Sequence, residues 1–213
     1  FGIERPAAVG GRFELRDFGS DIELRTPIGE VAVSLRAAGA HNVRNALAAA
    51  AAAAAAGIGL SAIARGLAAF EPVQGRLQKR DGRGGAVVLD DTYNANPDSV
   101  IAAIDVLARS GGRKFLVLGD MGEVGAHGAD FHAEIGRHAR AAGIEQLFAL
   151  GESCVHAAAA FGAGARHYAD IDALLAELEP GLGADLTVLV KGSRFMRMER
   201  VVQALCGAAA GGH

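Results

Sequence analysis

Four short polar segments carry most of the groups in this chain that could do chemistry. Asp90-Asp91-Thr92-Tyr93-Asn94-Ala95-Asn96 places two carboxylates, a hydroxyl, a phenol and two amides in seven residues. Lys191-Gly192-Ser193-Arg194 sets two cations around a Gly-Ser turn. Gly119-Asp120-Met121-Gly122-Glu123 and Gly151-Glu152-Ser153 add further carboxylates and a hydroxyl. Amides offer a donor and an acceptor together, and cations beside the free N–H groups of a helix start favour a carboxylate or phosphate. Taken singly, each segment reads as an ordinary turn, because Asp, Asn, Gly and Ser are what turns and helix caps select. Lys191 and Arg194 fit a solvated pair of surface charges about as well as an anion site. The combination argues for function, since the Asp90–Asn96 stretch holds more polar groups than a helix entry requires.

Each segment follows a short apolar run: 86–89, 114–118, 146–150 and 186–190. Runs that are apolar throughout predict strands buried on both faces. Helical patterns separate them, with Val100, Ile101, Ile104 and Leu107 on one face behind Asn96-Pro97, and Ile171, Leu174, Leu175 and Leu178 behind the N-cap candidate Asp170. A last helix carries Met198, Val201, Val202 and Leu205 ahead of a Gly/Ala tail that is expected to be disordered. Alternating strands and helices predict a Rossmann-like α/β fold with a mostly parallel sheet and flanking helices. All four polar turns then share one sheet edge, where ligands of such folds bind.

Upstream the texture differs. Segments 12–17, 21–26 and 30–35 have β-type patterning broken by Gly19-Ser20 and Pro27-Ile28-Gly29, which predicts hairpin strands. From His41 an alanine-rich helix runs to a glycine stop at Gly57, and a second begins at the N-cap candidate Ser61 with Ile63, Leu67 and Phe70 on one face.

Several classes are excluded. A formal charge of −3, from 21 Lys and Arg against 24 Asp and Glu, provides no field for nucleic acid. The longest apolar stretch, 46–56, falls short of the ~20 residues of a membrane span. Cys154 and Cys206 show no paired spacing, so neither a disulfide framework nor a zinc site is expected, and the chain reads as cytoplasmic. No G-x-x-x-x-G-K-[ST] occurs, so the chain has no P-loop of its own. Gly57-Ile58-Gly59-Leu60-Ser61-Ala62 matches a dinucleotide-binding pattern but ends a helix instead of following a strand. Ser153 and Ser193 lack the glycine spacing of a nucleophile elbow. His127, His132 and His138, spaced by five and six, do not stack on one helical face and read as surface histidines, so no metal ligands are assigned.

With Asp90-Asp91-Thr92-Tyr93-Asn94-Ala95-Asn96-Pro97, His41-Asn42-Val43-Arg44-Asn45-Ala46, Leu189-Val190-Lys191-Gly192-Ser193-Arg194, Pro72-Val73-Gln74-Gly75-Arg76-Leu77 and 118–125 in view, the chain resembles the Mur ligases. Its wording is most similar to the members that add D-alanyl-D-alanine to UDP-N-acetylmuramoyl-tripeptide. The resemblance implies an ATP- and Mg²⁺-dependent enzyme of peptidoglycan precursor synthesis. Such an enzyme activates the tripeptide carboxylate as an acyl phosphate, which the dipeptide amine then attacks. Its three domains bind the UDP-sugar, ATP and the incoming amino compound.

On that resemblance residues 1–75 correspond to the end of the central ATP-binding domain and 76–213 to the C-terminal Rossmann-like domain, with a hinge at 71–77. The start at Phe1 instead of Met fits a piece of something longer, and such a piece is expected to be inactive without the P-loop and the UDP-binding domain. Asn42 and Asn45, with His41, correspond to the segment facing adenine. Arg76 matches the arginine that reaches the ATP phosphates, and Asp91 the aspartate on the ribose hydroxyls. Tyr93, Asn94 and Asn96 border the nucleotide or the reacting centre. Lys191, Ser193 and Arg194 lie on the D-alanyl-D-alanine side. Thr92 stands where many relatives have serine and keeps the hydroxyl. Mg²⁺ falls mainly to parts of the family not found in this chain. Two other readings stay open: a Rossmann-like binding module without catalysis, and a ligase of the same superfamily for a different amino compound.

Overall fold

The computed structural model describes residues 1–3 and 6–207, so the expected disorder of the Gly/Ala tail lies outside the described residues. The chain divides into two compact units, Phe1–Pro72 and Val73 to the C-terminus. No helix among the described residues is long and apolar enough to cross a membrane.

In the first unit, β1 (Gly10–Arg16), β2 (Gly19–Thr26) and β3 (Gly29–Leu35) form an antiparallel meander. Arg16 pairs with Gly19 and Thr26 with Gly29, which leaves two-residue turns. Thr26 Oγ1 closes the second turn by donating to Gly29 O and accepting from Ile28 N. Alternation along the strands sends Ile22, Leu24, Val33 and Leu35 to one face. There they pack with Val43, Ala46, Leu47 and Ala50 of α1 (Ala40–Ala55) and Ile63 of α2 (Leu60–Ala68). Gly57, at φ +80°, ends α1: its N–H reaches Ala54 O and that of Ile58 reaches Ala53 O, a left-handed stop that glycine adopts without strain. The expected start of α2 is corrected, because the cap is Gly59. Ser61 lies inside the helix, where its Oγ accepts from Arg65. Phe70 falls beyond the end of the helix and is exposed, so it leaves the apolar face that Ile63 heads.

The second unit is a six-stranded sheet in the order β4-β5-β9-β6-β7-β8. Its strands are β4 (Gln78–Asp81), β5 (Val87–Asp91), β6 (Arg113–Gly119), β7 (Gln146–Leu150), β8 (Ala165–Tyr168) and β9 (Leu186–Lys191). Only β4 runs antiparallel. The helices are α3 (Pro97–Arg109), α4 (Gly128–Ala141), α5 (Cys154–Phe161), α6 (Ile171–Leu178) and α7 (Glu199–Cys206). One sheet face buries Val88, Phe115, Val117, Phe148, Val188 and Val190 against Leu174, Leu178, Val201 and Leu205. The alternate residues Leu89, Leu116, Leu118, Leu147 and Leu189 are buried too, so both faces are covered as the apolar runs predict. Asn96 caps α3 in a reciprocal pair with Ser99 and is followed by Pro97, while Asp170 caps α6 by accepting from Ala173 N.

Candidate functional site

Because β5, β9, β6 and β7 run parallel, the turns after them share one edge, and hydrogen bonds knit these turns together. Lys191 Nζ donates to Asp91 Oδ2 at 2.5 Å and to the carbonyl of Asn94 at 3.0 Å. Ser193 N donates to Asp120 O at 3.0 Å. Ser193 Oγ accepts from Gly122 N at 2.7 Å and donates to Ala95 O at 3.2 Å. Asp120 accepts from Ser153 N and Cys154 N at the start of α5, where the helix dipole also favours a carboxylate.

Lys191 is 2% exposed. That corrects the picture of a solvated surface cation, since a charge this deep requires a partner, which Asp91 supplies. Asp91 is spent on its neighbours as well: Oδ2 on Lys191, and Oδ1 on the N–H of Leu77, 3.0 Å away. That second bond holds Leu77 at φ +53°, a conformation that costs a side-chain-bearing residue free energy. Gly75, at φ +74°, presents its carbonyl to Tyr93 N at 3.0 Å, and a Cβ there would itself come within 3.0 Å of that nitrogen. Residues 75–77 are thus fastened to the end of β5. Asp90 is fully buried. Its Oδ1 accepts from the hydroxyl and N–H of Thr92, so the hydroxyl kept at Thr92 has a partner, and its Oδ2 lies 4.0 Å from Arg80.

The exposed part of the edge is cationic and aromatic. Tyr93 is 49% exposed, with the Arg76 guanidinium carbon 4.3 Å and that of Arg194 6.0 Å from its ring centroid. Asn94 and Asn96 are exposed, but their side-chain oxygens accept from Ala95 N and Ser99 N. Phe195, 63% exposed, follows Arg194. Of Lys191, Ser193 and Arg194, only Arg194 presents its charge to solvent. In the first unit, His41, Asn42 and Asn45 lie on the first turns of α1. Asn42 Nδ2 donates to Ala38 O at 2.8 Å and lies 3.1 Å from His41 Nε2, and Asn45 is exposed three residues on.

The reading of His132 as a surface residue is corrected. It is fully buried on α4, with Nδ1 2.7 Å from Gly128 O and Nε2 accepting from Met121 N at 3.0 Å. Spacing against His127 and His138 carried no signal for this, since the partners lie in the turn after β6. Its Nε2, Asp120 and Cys154 Sγ offer three metal-ligating atoms within 4.8 Å of one another. Each already has a partner, however: Met121 N on His132, Cys154 N on Asp120, and Leu118 O for the Cys154 thiol. Burial, and then the Asp120 carboxylate, raise the thiol well above its usual range. A bound metal would have to displace these bonds, so the cluster reads as structural.

The family model described as "Mur ligase, glutamate ligase domain" matches residues 75–194, more than half of the chain. The chain belongs to the Mur ligase family. The Escherichia coli K12 protein named UDP-N-acetylmuramoyl-tripeptide–D-alanyl-D-alanine ligase is 43% identical over 189 residues, covering 88% of this chain and 42% of that one. Its Haemophilus influenzae namesake is 38% identical over 194 residues, with the same coverage of each chain. Among solved structures, MurF from Acinetobacter baumannii superposes with a TM-score of 0.84 at 33% identity, over 92% of this chain and 44% of that one. MurF from Thermotoga maritima in complex with ADP has a TM-score of 0.82 at 22% identity, covering 94% and 46%, a likeness of fold. The chain therefore spans about two-fifths of the length of the curated Mur ligases it matches.

Proposed function

We propose that this Mur ligase chain serves the ATP-dependent joining of D-alanyl-D-alanine to UDP-N-acetylmuramoyl-tripeptide. ATP converts the tripeptide carboxylate to an acyl phosphate, and the dipeptide amine displaces phosphate to form the amide. The observation that carries this reading is the 43% identity to the Escherichia coli ligase over 88% of the chain, a span too long to lie within one of its two units. In this reading residues 1–75 correspond to the end of the central ATP-binding domain and 76–213 to the C-terminal domain.

The donor set suits the ligands. Arg76 and Arg194 are open guanidinium groups, forked donors that match phosphate and carboxylate oxygens. We assign Arg76 to the ATP phosphates and Arg194 to the dipeptide carboxylate, with Tyr93 as the aromatic surface beside both. Asp91, whose side chain keeps 15% exposure, faces the ribose hydroxyls with its remaining acceptor capacity. Asn42 and Asn45, with His41, provide donors and acceptors for the adenine edge. Lys191 and Ser193 act by holding Asp91 and the turns in place, while Asn94 and Asn96 shape the entry to α3. Asp91, Asp90 and Asp120 are engaged by Lys191, Thr92 and the start of α5, while Glu123 and Glu152 of the same turns stay exposed. On the family reading Mg²⁺ falls mainly to ligands elsewhere in a chain of the relatives' length.

The test is phosphate release by the full-length protein with ATP, Mg²⁺, the UDP-linked tripeptide and one amino compound at a time. Release with D-alanyl-D-alanine and not with single amino acids is the expected result. Release with another amino compound alone moves the chain to a different branch of the family, and release with none favours a binding module. Residues 1–213 alone are expected to release no phosphate.

A further inference from the structure

We infer that His132 is a positioning residue for this edge site. It locks the turn after β6 into the one shape that can hold Ser193 and, through Ser193, the turn bearing Arg194. The imidazole lies near one carbonyl and one N–H. Gly128 O can only accept, so Nδ1 carries the proton, and Nε2 keeps the lone pair that takes the Met121 N–H. Both nitrogens are then satisfied in one neutral tautomer, in a ring that is 0% exposed.

The next amide along the chain makes the connection to the site. Gly122 N donates to Ser193 Oγ, and Ser193 Oγ donates in turn to Ala95 O. Successive N–H groups of one turn therefore tie α4 on one side to the turn after β9 on the other. Asp120 reinforces the tie, its carbonyl accepting from Ser193 N and its carboxylate from the first amides of α5. With no acceptor at position 132, the buried Met121 N–H would be left unpaired, and the turn could regain a partner only by rotating, which takes Gly122 N away from Ser193.

This inference rests on the proposed ligation for its kinetic readout, and hydrogen exchange tests it independently. His132→Leu keeps an apolar side chain without an acceptor, whereas His132→Gln can bring an amide oxygen near the position of Nε2. Ser193→Ala cuts the same chain of bonds at its other end and serves should His132→Leu not fold. In His132→Leu the amides of Met121 and Gly122 are expected to exchange about tenfold faster, the scale of an unmade buried hydrogen bond, while those of β6 keep their rates. In the full-length enzyme the KM for the amino compound is expected to rise about tenfold in His132→Leu and in Ser193→Ala, with the KM for ATP changing less than about twofold and His132→Gln restoring most of the loss. Unchanged exchange at Met121 and Gly122 overturns the inference. So does exchange that accelerates evenly through β6 with both KM values moving together, since that marks His132 as general core. If the wild-type enzyme joins no dipeptide, the functional reading fails, and the exchange rates still decide whether His132 sets the turn.

Discussion

The same sheet edge holds two populations of polar groups that behave in opposite ways. Beneath the surface, Lys191, Asp91, Ser193, Asp120 and His132 spend their hydrogen-bonding capacity on one another and on turn backbone. At the rim, the Arg76 and Arg194 guanidinium groups lie near the Tyr93 ring, and all three residues stay open to solvent. The buried set fixes the shape of the turns, with Asp91 keeping some exposure for the proposed ribose contact, and the rim is free to meet a ligand. Stability and binding should therefore separate by depth across a few ångströms.

The largest effect is expected from Lys191→Met. It leaves the Asp91 carboxylate part-buried without its counter-charge, and unfolding by urea should show a loss of about 3–5 kcal/mol. A loss below about 1 kcal/mol, the scale of an exposed pair, would erase the contrast in depth. Asp120→Ala comes next. It removes the acceptor for Ser153 N and Cys154 N, and about 2–3 kcal/mol should disappear from the same unfolding transition.

At the rim the order reverses. Arg76→Ala is expected to change stability by no more than about 0.5 kcal/mol, while calorimetry of the full-length protein should show ATP binding about tenfold weaker, the worth of a charged hydrogen bond. A large stability change with intact ATP binding would place Arg76 among the structural groups. The smallest effect sharpens the comparison chemically. Burial raises both thiols, but Cys154 lies deeper and beside Asp120. A raised pKa lowers the thiolate fraction, so alkylation of the native protein at pH 8 should label Cys206 before Cys154, as peptide mass spectrometry can read. Equal labelling would mean that the lattice around Asp120 opens readily.

Four of the parallel strands were legible because their runs are apolar throughout, and the three hairpin strands because they alternate. The edge strands β4 and β8 left no such trace. Gln-Lys-Arg-Asp and Ala-Arg-His-Tyr are polar, as strands paired on one side only can be. Asn96 and Asp170 announced their helices, since capping is a local transaction between residues three apart. Ser61 misled for the same local reason: Gly59 could also start the helix, and a serine in the first turn finds other work.

By itself the sequence determined the alternation of strands and helices, the gathering of four polar turns at one edge, and the types of groups those turns could offer a ligand. These follow from hydrophobic periodicity and turn chemistry, which act over a few residues. Only the tertiary structure decided which of those groups remain available. Lys191 meets Asp91 across 100 positions, Ser193 meets Ala95 across 98, and His132 finds Met121 in a turn that periodicity does not reach. Whether a polar side chain is spent or open depends on partners that only the packing of parallel strands brings within hydrogen-bonding distance.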